Sequence, residues 1–158
     1  VGCSTSSGAS LYGMIRGLQR NGVRPEVIFG VEPEGSEKFF DFEGEEARYG
    51  EFAVSDAKTE IAAAAGLKKW VQEEAIVDKL MKEGYPDQFF CISDEEARTM
   101  ANRLCREEGI FCGMSSGANV AAALKVAQRL GEGKNVVTVI VDRRDRYLSE
   151  SPHERYVV

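Results

Sequence analysis

A chain of 158 residues is one domain's worth, and at that size folding buries roughly 70% of the unfolded surface, enough for a real core. The formal charge of −6 leaves no basic stripe to release counterions from phosphates, which argues against a nucleic-acid partner, and no run approaches the ~20 apolar residues of a membrane span. Cys3, Cys91, Cys105 and Cys112 show no metal-ligand spacing and His153 is the lone histidine, so the expectation is reduced, mostly buried thiols of a cytoplasmic protein without a metal site.

Val1 is not an initiator methionine, and the chain enters a strand-like Val1-Gly2-Cys3 at once, which predicts a piece of a longer protein. The tetrapeptide Ser-Ser-Gly-Ala follows at Ser6 to Ala9 and returns at Ser115 to Ala118, each time ahead of a helical pattern. Leu11, Met14, Ile15 and Leu18 recur at helical spacing, and Asn21-Gly22 closes that helix. Val27 to Val31 reads as a short strand ended by Glu32-Pro33-Glu34-Gly35. Residues 36 to 60 are acidic and weakly periodic, an irregular excursion. Leu67, Trp70, Val71, Val77, Leu80 and Met81 make an amphipathic helix stopped by Gly84 and Pro86, and Phe89 to Ile92 form a strand. Ser93 with Glu96 fits a capping box for a helix whose Ala97, Ala101, Leu104 and Cys105 share one face, with Gly109 as its stop. Ile110 to Cys112 is strand-like, and the second serine motif launches a helix through Val120, Leu124 and Ala127 to Gly131. Val136 to Val141 is an apolar run suited to a central parallel strand buried on both faces. The alternation predicts an α/β fold with a mostly parallel, three-layer sheet.

Serine and glycine at a helix start offer unpaired N–H groups, hydroxyls and the positive end of the helix dipole, which suit an anionic or acceptor-rich ligand. Simple helix capping explains the same residues, because serine is a favoured N-cap and glycine tolerates tight turns. Gly113-Met114-Ser115-Ser116-Gly117 satisfies Gly-x-Ser-x-Gly, but a serine hydrolase needs a histidine partner and His153 lies in a polar tail after Pro152. Asp142-Arg143-Arg144-Asp145-Arg146 reads as a solvated charge cluster, at a strand end where α/β sheets bind ligands.

Gly30-Val31-Glu32-Pro33-Glu34-Gly35-Ser36, Ser93-Asp94-Glu95-Glu96-Ala97, Glu108-Gly109-Ile110-Phe111-Cys112-Gly113-Met114-Ser115-Ser116-Gly117-Ala118 and Arg146-Tyr147-Leu148-Ser149 resemble, in that order, the C-terminal half of cysteine synthases and cystathionine β-synthases. These are fold-type II enzymes dependent on pyridoxal 5′-phosphate, and the resemblance covers most of the chain outside roughly residues 37 to 88. It implies that the whole of 1–158 is the C-terminal portion of such an enzyme, with the Schiff-base lysine and the loop gripping the substrate carboxylate in an N-terminal part outside this chain, so no catalytic residue is assigned here. The resemblance makes Ser6, Ser7, Gly8, Ala9 and Ser10 the counterpart of the family's Gly-Thr-Gly-Gly-Thr phosphate loop and Ser115 the serine that meets the cofactor's pyridine nitrogen. A neutral hydroxyl there makes a weaker electron sink than a carboxylate would, favouring β-elimination over long-lived carbanions. The implied reaction is β-replacement: an activated serine (O-acetylserine or O-phosphoserine) loses its leaving group and sulfide adds to give L-cysteine. Cystathionine β-synthase and cysteine desulfhydrase chemistry are enzymatic alternatives, and a non-catalytic anion-binding fragment is the alternative of another class. The resemblance further implies a homodimer. Two positions depart from the family pattern: Thr59 to Gly66, with four alanines at Ala62 to Ala65, stands where a glycine-rich loop is usual, and Asp142-Arg143-Arg144 replaces Asp-Ser-Gly.

Overall fold

The computed structural model describes residues 1–5, 8–34 and 76–147, apart from the side chains of residues 77, 78, 146 and 147. Three parallel strands, β1 (Gly2–Ser4), β2 (Phe29–Pro33) and β3 (Gln88–Ile92), form a sheet in that order, with Cys3 opposite Gly30 and Gly30 opposite Phe89. Helix α1 (Ala9–Arg20) connects β1 to β2, and α2 (Ile76–Lys82) precedes β3. Beyond β3 come α3 (Asp94–Glu108) and α4 (Met114–Leu130), and a 3₁₀ turn spans Arg144–Tyr147. The α/β alternation and parallel pairing expected from the sequence are present.

The strands alternate their side chains between two faces, and each face has its own core. On one, Phe29, Val31, Phe90 and Ile92 bury against Ala97 of α3 and Ala121, Ala122, Ala123 and Val126 of α4. On the other, Cys3 and Ile28 pack with Leu11 and Ile15 of α1 and Leu80 of α2. Phe29 and Phe90 meet edge to face at 6.0 Å between centroids. These two cores give three layers, helix on sheet on helix.

Local signals account for the helix ends. Ser93 Oγ accepts the Glu96 N–H at 3.2 Å, and Gly109 at φ 70° closes α3. Only half of the expected capping box forms, because the Glu96 carboxylate turns to Lys125 of α4 at 2.9 Å. Asn21 caps α1 as expected. The amphipathic helix expected from Leu67 is described only from Ile76, and residues 36 to 60 and Thr59 to Gly66 lie outside the described residues.

Four expectations need correction. The second strand runs two residues beyond Val31, because Glu32 and Pro33 keep pairing with Cys91 and Ile92 and proline is tolerated at a strand end. Ile110 to Cys112 is no strand: its backbone makes a single antiparallel bridge, Cys112 to Arg143. Ser115 and Ser116 lie in the first turn of α4, not in a turn ahead of it. Finally, Val136 to Val141 is not buried on both faces: one parallel bridge, Thr138 to Gly2, joins it to the sheet beside β1, and Val137, Ile140 and Val141 are about half exposed.

Candidate functional site

In a parallel sheet the helix that follows a strand starts at the strand's C-terminal end, as α1 does after β1, and the hydrogen bonds of Asn119 and Ser116 bring the start of α4 to the same end. The backbone is stitched together there. Ser4 N–H donates to Asn119 Oδ1 at 2.6 Å, and Asn119 Nδ2 donates to the Val139 carbonyl at 2.9 Å. Ser116 Oγ accepts the Val141 N–H at 2.9 Å, and Gly113 N–H reaches the Asp142 carbonyl at 2.7 Å. Thr5, the last described residue before the loop, bonds the Val31 carbonyl through both its N–H and its hydroxyl. Asn119 and Ser116 are fully buried, and through the two bonds of Asn119 and the one of Ser116 they clamp β1, α4 and residues 139–142 into one rigid edge.

The three well-defined helix N-termini are not alike. In α3 a serine caps the start and Asp94, Glu95 and Glu96 fill the first turn, so dipole and orphan N–H groups are answered from within the chain. In α1 the cap is Gly8, at φ 77°, with no side-chain cap bond and no acid in the first turn. In α4 the cap is Gly113, again without a side-chain cap bond and without an acid. The two glycine-capped, acid-free starts are those of the two serine motifs, an arrangement that suits a ligand that is anionic at one end and accepts a hydrogen bond at another.

The six residues singled out from the sequence divide as follows. Ser6 and Ser7 lie outside the described residues. Gly8 is the left-handed cap of α1, and Ala9 and Ser10 are its exposed first residues. Ser115 is partly exposed, and its hydroxyl has no hydrogen bond within the described residues, in contrast to the committed Ser116 next to it. A phosphate dianion fits a glycine-capped helix start, and a pyridine nitrogen fits a free hydroxyl, so the donor set present suits pyridoxal phosphate.

Burial sets the chemistry of the nearby thiols. Cys3, sealed within the sheet, has its thiol pushed up to about 11, and burial also raises Cys112. Both are therefore neutral packing groups at physiological pH. Arg144 is not the solvated charge expected: its Nε donates to the Cys112 carbonyl at 3.3 Å, its Nη1 bonds Asn102, and its guanidinium lies 5.9 Å from the centre of the Phe111 ring. Arg143, by contrast, is exposed and pairs with Asp145 at 3.3 Å. Sequence reasoning missed Ser116 and Asn119 as the clamps of this edge. The available signal was an asparagine beside an alanine- and valine-rich stretch of helix, three residues from Ser116.

The family profile for pyridoxal-phosphate dependent enzymes matches residues 1–142. The chain belongs to that family. Cysteine synthase B of Pseudomonas aeruginosa is 40% identical over 93 residues, 59% of this chain and 30% of that enzyme. A cysteine synthase of Helicobacter pylori is 50% identical over 64 residues, 40% of this chain and 21% of that one. In structure, the O-acetylserine dependent cystathionine β-synthase of Helicobacter pylori superposes with a TM-score of 0.60 at 32% identity, covering 94% of this chain and 42% of that one. The fold is thus that of a fold-type II enzyme, as the sequence motifs implied, and the family's cofactor is pyridoxal phosphate. The match takes in less than half the length of each of these relatives.

Proposed function

We propose that this chain is the C-terminal portion of a cysteine synthase-type enzyme, the part that holds the cofactor's phosphate and its ring nitrogen. The observation that carries the reading is the contrast among helix starts: α3 is capped and acidic, whereas α1 and α4 are glycine-capped and acid-free at one sheet edge. Gly8 and the first turn of α1, with Ser6, Ser7, Ala9 and Ser10, bind the phosphate. Ser115 orients the ring through its nitrogen. Ser116 and Asn119 keep the start of α4 at a fixed height relative to β1. When bound, the cofactor supplies the electron sink that lets an activated serine exchange its β-substituent.

The substrate pair is O-acetylserine or O-phosphoserine with sulfide, giving L-cysteine. The likeness to an O-acetylserine dependent cystathionine β-synthase supports a second reading in which a thiol such as homocysteine is the acceptor. On this reading the enzyme is a cytoplasmic homodimer, with its Schiff-base lysine in a preceding part of the polypeptide. Borohydride reduction of the intact enzyme followed by mass analysis tests the cofactor, and turnover with sulfide against homocysteine tests the acceptor. A reducible adduct on a lysine outside these 158 residues and faster turnover with sulfide are expected. Absence of any adduct, with pyridoxal phosphate exchanging freely on dialysis, would replace the enzyme by a simple anion-binding fragment.

A further inference from the structure

The Ser115 hydroxyl has no hydrogen bond within the described residues, so where it points is inherited from the backbone around it. The first N–H groups of a helix have no intrahelical acceptor, and a helix start is held from outside. At α4 the hold comes from residues 141–144: the Val141 N–H donates to Ser116 Oγ, the Asp142 carbonyl accepts the Gly113 N–H at 2.7 Å, and Arg144 Nε donates to the Cys112 carbonyl at 3.3 Å. The last of these reaches furthest. Arg144 Nη1 also donates to Asn102 Oδ1 on α3, and the guanidinium lies 5.9 Å from the centre of the Phe111 ring. One side chain thus ties α3, the connection from α3 to α4 and the 3₁₀ turn together, just ahead of Ser115.

Three features set this arginine apart from a surface cation. Its acceptors are a carbonyl and an amide oxygen, and no carboxylate among the described residues pairs with it, so it contributes a planar fork that spans two acceptors and not the neutralisation of a charge. Its Nη2 is buried without an acceptor among the described residues, a cost to stability that folds tolerate where an arrangement serves something else. It stands at the third position where Asp142-Arg143-Arg144 replaces Asp-Ser-Gly, and a glycine there has no side chain with which to make the tie.

We propose that Arg144 is the positioning residue for Ser115, fixing through the Cys112 carbonyl and Asn102 the height and turn at which α4 presents that hydroxyl to the cofactor's ring nitrogen. Arg144 acts only through the backbone at the start of α4. The inference rests on the proposed contact between Ser115 and the ring.

The test uses the intact enzyme loaded with pyridoxal phosphate, and reads cofactor absorbance, turnover and exchange of the Gly113 amide. Arg144→Ala should shift the absorbance in the same direction as Ser115→Ala, lower kcat about fivefold and speed Gly113 exchange about tenfold, since α3 no longer holds the start of α4. Adding Arg144→Ala to Ser115→Ala should change absorbance and kcat no further, because a residue that acts through another then has nothing to act on. Arg144→Lys keeps the charge but cannot span both acceptors, and should restore little. Arg143→Ala, at the exposed neighbour, should leave all three readouts as in the parent. If Arg144→Ala does not fold, Asn102→Ala removes one arm of the fork and should give the same pattern at smaller size. The proposal is overturned if Ser115→Ala alters the spectrum and the Arg144 or Asn102 variant does not, if Gly113 exchange is unchanged, if the effects of the double variant multiply, or if Arg144→Lys behaves as the parent. A spectrum unmoved by Ser115→Ala itself would remove the ring contact, and this inference with it.

Discussion

The same four residues do different work at the two places where they occur. In the first copy Gly8 is the cap of α1, held at φ 77°, and Ala9 is the first helical residue. In the second copy all four residues lie inside α4, the cap is Gly113, and Gly117 is where α3 crosses. A β-carbon on Gly117 would stand 2.0 Å from the Ala97 carbonyl oxygen and 2.9 Å from the Ala101 nitrogen, both backbone atoms that cannot swing aside. One glycine is therefore needed for its conformation and the other for its lack of volume. The serines divide in the same way: Ser116 is consumed by the fold, whereas Ser115 is left over.

The difference is largest at the glycines. Gly117→Ala forces α3 and α4 apart at their closest point and should cost about 3 kcal/mol, seen as a lower urea midpoint. A loss under about 0.5 kcal/mol would mean that the helices do not approach as described. Ser116→Ala should cost about 2 kcal/mol, because the fully buried Ser116 hydroxyl is the acceptor that ties the Val141 N–H to α4. Replacement by threonine, which retains the hydroxyl, should recover part of that loss.

The strand feeding the first copy gives a pH test. The Cys3 thiol titrates near 11 in the fold, above the value of an unfolded thiol, so the unfolded chain releases this proton first as pH rises. Its contribution to stability is complete below about pH 9 and is lost progressively as pH climbs toward 11, by about 2 kcal/mol. Cys3→Ala should flatten that part of the stability profile relative to the parent. Equal slopes would place the thiol in contact with solvent. Gly8→Ala, which puts a β-carbon at a left-handed position, should cost a smaller amount, about 1 kcal/mol, while weakening phosphate retention.

These contrasts explain what could be read in the sequence and what could not. The helices were legible because each carries a spacing and a stop: Leu11 and Ile15 before Asn21, and Ala97 to Leu104 before Gly109. The parallel sheet was legible from alternation alone. Pattern failed where burial depends on contacts distant in the sequence. Val136 to Val141 has the composition of a central strand yet makes one bridge among the described residues and leaves Val137, Ile140 and Val141 about half exposed, and no local signal reports how a segment pairs in the sheet. The same limit hid Arg144, whose run of charged neighbours looks solvated, although the Cys112 carbonyl, Asn102 and Phe111 gather round it in space. Of the candidate site, the glycine that starts α1 and the pair of serines in α4 could be singled out from the motif. Which serine is free could not, since one position along a helix turns a side chain by about 100° and only the packed structure says where each points.

The smallest effect on stability should fall on Ser115, the residue proposed to meet the cofactor's ring nitrogen. Ser115 has no side-chain bond to lose among the described residues, so Ser115→Ala should change unfolding free energy by less than about 0.5 kcal/mol. In the loaded enzyme the same change removes the hydroxyl proposed to face the ring nitrogen and should lower turnover roughly tenfold, the equivalent of one hydrogen bond. Ser115→Asp goes further, because a carboxylate favours a protonated ring where a hydroxyl does not, and it should shift the cofactor's absorbance as well as its rate. Ser116→Ala supplies the opposite profile, a marked loss of stability with the spectrum of the remaining folded enzyme retained. If instead the spectrum responds at Ser116 and not at Ser115, the roles of the two hydroxyls are exchanged and α4 presents its other face to the cofactor.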